Sequence, residues 1–571
     1  MRIDKVYIED FKNLKKFCID LDENQMNTVL LGQNATGKSN FIEALVKIFK
    51  FLDLSNSSTR RFPEFKYWIR YQCHGKTITI EHLEVKNYII NIEGETKSPS
   101  LKYFFSDEGK KKYLPKYIFT YYSGTSNRLD EIFWEHQRNF YKEIIKKDFD
   151  TRRLDSLRRL FYVKPIHSFF VLMAFFSLQR MEKKSKVFLK DILGIEDLDS
   201  ILFVLKEAKW DNEKGDPKFW GAEGLVKDFL DAVWDYSYSP IYHKATVYPD
   251  FRSKGVKENH LYLYLKDKES LKNFASKYFD IINQKPNNTS LFKALESCYI
   301  SDMLKEAKVV VKKKKDGKVT FKELSEGEQQ LLTVIGLLIF TREDESLVLL
   351  DEPDTHLNPV WKYDYLHYLK TLVKSKNKLE SGEEIDELEE DKTTQIIINT
   401  HDPLVIGSMV KSQVRLFGKE IETQHLNAGK SKGKFEELKQ QALNFAIEPD
   451  IDPQGLGVAG ILTSELFGLP SILDKTTQIK LNRKRYLQGK LMRNELFGSE
   501  QDEYSDLKSE MEKLGFYEES EDYWFKQYLK EMSKVESFQN IQFSKEEKSN
   551  LNKRSQEIAK KIAKQKKEER K

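Results

Sequence analysis

Four short motifs stand in a fixed order along this chain of 571 residues, and they constrain its fold more than any other feature. The first is GQNATGKS at residues 32–39, which fits the phosphate-binding pattern G-x-x-x-x-G-K-[ST] without a mismatch. It is followed by LSEGEQ at 324–329, LVLLDEP at 347–353 and THD at 400–402. About 285 residues separate the first motif from the second. If the four motifs serve one site, distant parts of the chain must build it together.

The first motif predicts a phosphate-binding loop between a strand and a helix. An apolar strand, TVLL, ends at Gly32, and apolar residues recur at helical spacing from Phe41 onwards. The loop amides and the positive end of the helix would cradle the β-phosphate of ATP. Lys38 would reach the β- and γ-phosphates, and the Ser39 hydroxyl would ligate Mg²⁺. The predicted nucleotide-binding residues are Gly32, Gln33, Asn34, Ala35, Thr36, Gly37, Lys38, Ser39 and Asn40.

The motif at 347–353 predicts a metal ligand and a base at the end of a buried strand. In α/β sheets, ligands bind at the carboxyl ends of the strands, where Asp351 and Glu352 fall. Asp351 would hold Mg²⁺, and Glu352 would orient and deprotonate the attacking water. A second apolar strand, IIINT, ends at His401, which we predict to lie near the terminal phosphate.

The LSEGEQ motif allows two compatible interpretations. Ser325 and Glu328 have the S-x-x-E spacing of a helix capping box. The Ser325 hydroxyl and the Gly327 amide would also form a second phosphate site at a helix N-terminus. We therefore include Ser325, Gly327 and Glu328 among the predicted nucleotide-binding residues.

Together the four motifs resemble those of the ATP-binding-cassette class of ATPases. The long gap resembles the chromosome-maintenance (SMC-like) and DNA-repair branch rather than the transporters. The resemblance implies an α/β ATPase lobe that hydrolyses ATP with Mg²⁺, with Glu352 and His401 as catalytic residues. In that family the signature motif of one chain faces the phosphate-binding loop of another. An ATP-sandwiched homodimer, and possibly a higher oligomer, is therefore implied by the resemblance.

The patterning along the chain predicts four parts. Residues 1–128 and 306–420 are expected to form the two halves of the ATPase lobe, separated by a mainly helical insertion at 129–305. The insertion contains one β-like segment at 260–265, and a hairpin at 309–321 leads into the signature motif. Residues 421–571 are predicted to be a helical, partner-binding region that ends in a basic tail, frayed without a partner, from Lys553 to Lys571. The glutamine loop of the family has two candidates, Gln137 and the stretch YYSG at 121–124.

Two further stretches resemble a narrower group, the AAA-family ATPase subunits of Septu and retron-associated bacterial defence systems. These are HLNP at 356–359 and DPQGLGVAGILTSELFGL at 452–469. Such subunits work beside a separate nuclease of the His-Asn-His type. The resemblance implies an antiphage complex in which the nucleotide state of this chain controls that nuclease. The alternative is a DNA-repair or chromosome-maintenance ATPase that binds DNA itself.

Composition narrows the classes of partner. The net charge is only +5 with 32% charged residues, so contact with DNA or RNA must come from local patches. The candidates are the basic tail and the lysine run at 312–315, for which simple solvation is the other interpretation. The apolar stretch at 169–178 is too short for a membrane span and predicts a buried helix. Three cysteines without metal or disulfide spacing fit a cytoplasmic protein.

Overall fold

The computed structural model describes residues 1–151, 158–177, 183–208, 215–336, 338, 345–373, 394–419, 434–514, 516, 523–532, 534–535 and 545–568. The chain forms two compact units, Met1–Gln454 and Gly455–Lys571. The strands of the first unit are β1 Arg2–Phe11, β2 Leu14–Asp20, β3 Asn27–Leu31, β4 Tyr67–Cys73, β5 Lys76–His82, β6 Ile89–Ile92, β7 Tyr117–Tyr122, β8 Leu160–Val163, β9 Ile195–Lys206, β10 Ile241–Val247, β11 Val256–Leu265, β12 Leu304–Lys313, β13 Gly317–Thr320, β14 Ser346–Asp351, β15 Gln395–Asn399, β16 Val414–Lys419 and β17 Asn444–Ile447.

Helices connect these strands and make up the second unit. Those of the first unit are α1 Lys38–Leu54, α2 Leu101–Phe104, α3 Asp107–Tyr113, α4 Asp130–Ile144, α5 Pro165–Ser177, α6 Lys183–Val187, α7 Gly224–Tyr236, α8 Lys268–Ile281, α9 Asn288–Ile300, α10 Glu326–Leu331, α11 Pro359–Val373, α12 Pro403–Ile406 and α13 Lys434–Gln440. Those of the second unit are α14 Gly457–Thr463, α15 Lys475–Met492, α16 Ser499–Lys513, α17 Tyr523–Met532 and α18 Lys545–Glu568. Short π-helical segments follow α6 and α10, at Phe188–Ile192 and Leu332–Gly336.

A twelve-stranded sheet brings the predicted motifs to one edge. Its order is β6-β5-β4-β1-β2-β17-β16-β3-β15-β14-β7-β8, and the six strands from β16 to β8 are parallel. The central strands β14 and β15 are buried along their whole length, as expected for apolar strands covered on both faces. Because these strands are parallel, the carboxyl ends of β3, β14 and β15 lie at the same edge. The predicted α/β fold class is confirmed.

Helix α1 follows β3 through the phosphate-binding loop, as the motif predicts. Its apolar residues are buried against the sheet at helical spacing, with Phe41, Leu45 and Phe49 at most 1% exposed. Full burial of such side chains stabilises a fold by about 1.5–3 kcal/mol each, so this face fixes the position of the loop on the sheet.

The insertion at 129–305 is less helical than its pattern predicts. It contributes β8 to the main sheet and β9, β10 and β11 to a second, antiparallel sheet of order β10-β11-β9-β12-β13. The β-like segment at 260–265 and the hairpin leading to the signature motif are both present in this sheet. Strand β9 escapes sequence analysis because acidic residues interrupt its apolar run and its pairing with β12 shifts register. These irregularities obscure the two-residue alternation of a strand.

The apolar stretch that begins at Phe169 forms most of α5, and every residue from Phe169 to Ser177 is buried, as predicted. Leu178, the last residue of that stretch, lies outside the described residues. Among the helices that the structure describes, none combines the length and the apolarity that a membrane crossing requires.

The first compact unit continues past the predicted boundary at 420/421 and ends at Gln454. Strand β17 lies between β2 and β16 in the main sheet, and Phe435 of α13 packs with Trp68 of β4. A four-residue strand such as β17 is too short to give a periodic signal, and its assignment to the sheet depends on pairing with residues more than 400 positions away.

The second unit is helical, as predicted. Ion pairs join α15 to α16, including Arg483 with Glu503 and Lys490 with Glu500. The basic tail is helical in α18 as far as Glu568, not frayed, and residues 569–571 lie outside the described residues. Leu551, Ile558 and Ile562 form one apolar stripe of α18 and pack with Met532 of α17. This stripe is hidden in the sequence by the many charged residues around it.

Candidate nucleotide-binding site

The loop between β3 and α1 has a backbone that only small residues permit. Gly32 and Gly37 have positive φ angles of 145° and 107°. A Cβ on Gly32 would lie 2.7 Å from the carbonyl oxygen of Phe417, and one on Gly37 would lie 2.6 Å from Cδ2 of Leu14. Larger residues would therefore displace the loop from its neighbours. The glycine spacing of the motif is thus a requirement of packing as well as of phosphate access.

Lys38 lies inside this loop. Its Nζ donates to the carbonyl oxygens of Gly32 and Gln33, at 2.7 and 3.1 Å. Burial lowers the pKa of Lys38, whereas the nearby carboxylates of Glu352 and Asp351 raise it in opposition. The ammonium group is therefore held where the loop carbonyls meet the two acidic side chains.

Asn13, in the turn between β1 and β2, supports the loop from outside. Its Nδ2 donates to the carbonyl oxygen of Ala35 at 2.7 Å, and its Oδ1 accepts from Nδ2 of Asn40 at 2.7 Å. Thr36 Oγ1 closes the loop by donating to the carbonyl oxygen of Gln33 at 2.8 Å. Sequence analysis missed Asn13, and no local pattern marks a turn residue as a support for a loop that follows some 20 positions later.

The predicted metal ligands lie side by side. Ser39 Oγ donates to Oδ1 of Asp351 at 3.0 Å, across 312 positions of sequence. The other carboxylate oxygen, Oδ2, is buried and has no hydrogen-bond partner in the part of the chain that the structure describes. A hydroxyl and a carboxylate oxygen are the donors that Mg²⁺ prefers. This pair therefore fits a magnesium ion.

Two further side chains approach Asp351 that sequence analysis did not single out. Asn399, at the end of β15, donates through Nδ2 to Oδ1 of Asp351, and Nη2 of Arg128 lies 3.6 Å from Oδ2. Burial raises the pKa of Asp351, while the hydrogen bonds of Asn399 and Ser39 and the charges of Arg128 and Lys38 lower it. Asn399 could have been found from its place at a strand end two residues before His401. Arg128 stands outside any motif.

Glu352 and His401, the predicted catalytic residues, form a direct pair. Nδ1 of His401 lies 2.8 Å from Oε1 of Glu352. Glu352 adopts a positive φ of 55°, and its N–H donates to the carbonyl oxygen of Asn399 at 2.8 Å. Such a conformation is rare for a residue with a side chain and clusters at functional sites. Here it turns the chain just after β14, so that the carboxylate faces the histidine.

Of the two glutamine-loop candidates, the stretch at 121–124 lies at this site. The Ser123 N–H donates to the carbonyl oxygen of Asp351 at 3.2 Å, and its Oγ lies 3.0 Å from Oγ1 of Thr355. Gln137 lies instead within α4. The stretch at 121–124 reaches the site because β7 pairs in parallel with β14, so the two strands end at the same edge of the sheet.

The signature residues form the predicted capping box. The Ser325 side chain accepts from the Glu328 N–H, and Glu328 accepts from the Ser325 N–H at 2.9 Å. A Cβ on Gly327 would lie 2.9 Å from the carbonyl oxygen of His356, so glycine permits this close approach. Lys313, at the end of β12, donates to Glu328 at 2.6 Å. This ion pair ties the second sheet to the signature motif and was not foreseen.

The hydrogen bonds of the signature and of the phosphate-binding loop run to different partners. Gln330 bridges the Tyr121 hydroxyl, at 3.2 Å, and the His356 N–H, at 3.0 Å. The signature helix is thus hydrogen-bonded to the segment after β14, whereas the loop at 32–40 is hydrogen-bonded to Asn13 and Asp351. A shared phosphate site for Ser325, Gly327 and Glu328 remains a prediction that needs a second copy of the chain.

One known family is similar to part of this chain. A family model described as "AAA domain, putative AbiEii toxin, Type IV TA system" matches residues 213–407. Over these residues the chain is similar to AAA-family domains. The matched part includes the signature motif, Asp351, Glu352 and His401, and it begins after the phosphate-binding loop.

A curated relative and a solved structure are also similar to this chain. The Septu protein PtuA of Bacillus mycoides (strain KBAB4) is 23% identical over 288 residues, which cover 47% of this chain and 34% of that protein. The alignment therefore spans about a third of the relative's length. The predicted resemblance to the Septu group is confirmed. A crystal structure of an SMC head bound to the C-terminal winged-helix domain of ScpA covers 74% of this chain and 95% of its own, at 11% identity and a TM-score of 0.28. A TM-score this low does not establish a shared fold.

Proposed function

We propose that this chain is a magnesium-dependent ATPase whose nucleotide state controls a separate nuclease in an antiphage complex. One observation carries the ATPase assignment. Two functional pairs, Ser39 with Asp351 and Glu352 with His401, meet at the carboxyl edge of parallel strands beside the phosphate-binding loop. A loop that binds phosphate, a metal-ligand pair and a base with its partner are what phosphoryl transfer to water requires.

Each residue has a distinct part in this mechanism. The loop amides and Lys38 would bind and orient the phosphates, and Ser39 and Asp351 would hold Mg²⁺, which would supply positive charge to the phosphate oxygens. Glu352 accepts the proton of the attacking water through its carboxylate, so it must be ionised before the reaction. His401 hydrogen-bonds to Glu352 and fixes its orientation. Arg128 adds positive charge next to Asp351.

The regulatory part of the proposal rests on the signature motif. Ser325 and Gly327 would close over the γ-phosphate held by a second copy of the chain. The ATP-bound homodimer would then be the conformational state to which the partner nuclease responds. The Septu-like ATPase subunits that the HLNP and 452–469 segments resemble work beside a nuclease of the His-Asn-His type. The sequence similarity to a Septu protein supports assigning the same kind of partner to this chain.

The test uses the complex purified from the native host with whatever protein accompanies the chain. Nuclease activity is expected to differ between ATP and ADP, because only ATP supplies the γ-phosphate that joins two copies. Ser325→Arg puts bulk and positive charge at the signature and is expected to remove that difference and the ATP-dependent dimer seen on sizing. A ligand that binds only the dimer, as ATP would here, stabilises the dimer by about 2.7 kcal/mol when its concentration is a hundred times its dissociation constant.

Ser499→Arg makes the same chemical change at an exposed helix start in the second unit, and it should leave both measurements unchanged. Nuclease activity that is equal with ATP and ADP would rule out control by nucleotide state. Absence of any nuclease, together with tight ATP-dependent binding of duplex DNA by the chain alone, would favour a DNA-repair ATPase instead.

The pH dependence of hydrolysis tests the role of Glu352. Burial raises the pKa of Glu352 above its usual 4.5, while the charge and hydrogen bond of His401 lower it in opposition. Because a base must be ionised, kcat is expected to fall as the pH falls through this raised pKa. His401→Ala removes groups that lower the pKa, so the acid limb of the kcat profile should move to higher pH. His243→Ala, on the second sheet, is the control, and an acid limb that stays in place or moves to lower pH in His401→Ala would contradict the assignment.

A further inference from the structure

The β10–β11 hairpin projects from the second sheet as a two-stranded arm. β11 pairs with β9 only from His260 onwards, whereas its pairing with β10 continues to Val256 opposite Val247. Four residue rows, 244–247 with 256–259, therefore extend beyond β9, or about 13 Å at 3.3 Å per residue. A loop at 248–255 closes the arm. Like β13 at the opposite edge of this sheet, β10 is exposed or half-buried along its whole length.

One face of the arm is basic and aromatic. Lys244 lies opposite Asn259 and Thr246 opposite Lys257, so the two lysines are diagonal neighbours on the same face. A Cβ on Gly255 would lie 2.4 Å from Cγ2 of Thr246 and 3.1 Å from Cε1 of Tyr248. The Tyr248 ring therefore lies along the face that carries Thr246, although the residue is 67% exposed.

The tip of the arm holds an aromatic ring in solvent. Asp250 accepts hydrogen bonds from the backbone N–H groups of Arg252 and Ser253, at 2.7 and 2.9 Å, which fixes the turn. Phe251 stands between them with 93% of its surface exposed, more than any other large apolar residue for which the structure gives an exposure. Burying a phenylalanine is worth about 1.5–3 kcal/mol. A ring held out at an ordered turn is thus available to a partner.

The arm carries an excess of positive charge. Between residues 244 and 257 lie four cations, Lys244, Arg252, Lys254 and Lys257, and one carboxylate, Asp250, which its own turn engages. Among the described residues, none of these four cations has a carboxylate within ion-pair distance. The hairpin at the other edge of the sheet differs, since Lys312 and Lys318 pair with Asp199 and Lys313 pairs with Glu328. Part of the lysine run at 312–315 is therefore engaged in ion pairs with carboxylates, whereas the four cations of the arm are not.

We propose that the arm binds single-stranded nucleic acid, with Tyr248 and Phe251 stacking on bases and Lys244 and Lys257 contacting phosphates. Phosphates complement the unpaired cations, and base stacking on exposed rings requires bases that are not paired within a duplex. A second copy of the chain is a poorer occupant of the β10 edge, because edge-to-edge pairing would bring the lysines of two copies together. Nucleic-acid binding by the arm does not require ATP hydrolysis. A chain that fails to bind the single strand can therefore be distinguished from a chain that fails to hydrolyse ATP.

The experiment measures fluorescence anisotropy of labelled oligothymidylate and of a duplex of equal length with the full chain, without nucleotide. The double variant Tyr248→Ala/Phe251→Ala is expected to bind the single strand at least about tenfold more weakly, as the loss of one stacked base is worth a factor of this order. Lys244→Gln/Lys257→Gln should reduce the slope of log affinity against log salt by about 1.4, or about 0.7 for each phosphate that a lysine no longer neutralises. Because Phe251 is so exposed, its removal leaves the packing of the arm intact.

Two variants serve as matched controls. Phe497→Ala removes an exposed phenylalanine of the second unit, and Lys312→Gln/Lys318→Gln removes two lysines of the other hairpin in the same sheet. Both should bind as the unmodified chain does. Lack of single-strand binding by the unmodified chain, or unchanged affinity in the aromatic double variant, overturns the proposal. If the aromatic double variant loses affinity equally for single strand and duplex, the stacking role is overturned. If the arm variants lose an acidic protein from the native complex but bind oligonucleotide as before, the arm is assigned to a protein partner instead.

Discussion

Glu352→Gln is expected to lower ATP turnover about 10²–10⁴-fold while ATP remains bound, because the amide keeps the size of the side chain but cannot accept a proton. The structure gives the reason for so large an effect. The carboxylate is fixed by a strained backbone, with φ at 55°, and by a 2.8 Å contact with Nδ1 of His401. No other carboxylate has this combination beside the phosphate-binding loop in the described part of the chain, since Asp351 is engaged by Ser39 and Asn399. The measurement is phosphate release at saturating ATP, with nucleotide binding followed separately.

Glu448→Gln is the matched control, since Glu448 is a glutamate that pairs with Lys411 away from the site. Its turnover should equal that of the unmodified chain. Hydrolysis that persists unchanged in Glu352→Gln would exclude Glu352 as the base. Loss of ATP binding in Glu352→Gln would instead assign the carboxylate to nucleotide binding. The amide keeps the size of the side chain and can still accept a hydrogen bond, so only the loss of the negative charge would explain that result.

Lys38→Ala is expected to weaken nucleotide binding about 10–100-fold, and hydrolysis with it. The ammonium group is held by two loop carbonyls, at 2.7 and 3.1 Å, and stands next to both acidic residues of the site. A charge-assisted hydrogen bond contributes about 1.5–3 kcal/mol, and about 1.4 kcal/mol is a factor of ten in affinity. The measurement is a titration with labelled ATP, together with the rise in melting temperature that saturating ATP gives.

Lys47→Ala is the control for this change, because Lys47 lies on the same helix and contributes ion pairs to Glu43 and Glu64. It is nine residues further along α1, or about 13 Å from Lys38 at 1.5 Å per residue. Its nucleotide affinity should be that of the unmodified chain. Equal losses in both variants would indicate that α1 has been destabilised, and the role assigned to Lys38 would then fail.

The loop around Lys38 could be predicted from sequence because its requirements are local. Gly32 and Gly37 supply backbone angles and clearances, and the strand before them and the helix after them lie next to them in the chain. The end of β14 is similar, since an apolar run followed at once by Asp351 and Glu352 can be read in one window. Each of these features depends on neighbours within a few residues.

The supports of the site could not be predicted in this way. Asn13, Arg128 and Asn399 reach it from three different elements, and their contacts span at least 22 positions of sequence. Asn and Arg are common at turns and on surfaces, so their residue types alone carry no signal. The four-residue strand β17 was missed for a related reason, because its place in the sheet depends on two partners distant in sequence.

The sequence by itself determined where the predicted phosphate-binding loop, the predicted metal ligand and the predicted base lie, and in what order the motifs follow. Each is a short run of residues whose chemistry depends on adjacent backbone. Only the tertiary structure decided that these runs form one site. Ser39 meets Asp351 because β15 lies between β3 and β14 in a parallel sheet, so that all three strands end at one edge. It also decided which basic residues are unpaired, since Lys313 is bound to Glu328 whereas Lys244 projects on the arm. Strand order and ion pairing are set by long-range packing, which no local pattern records.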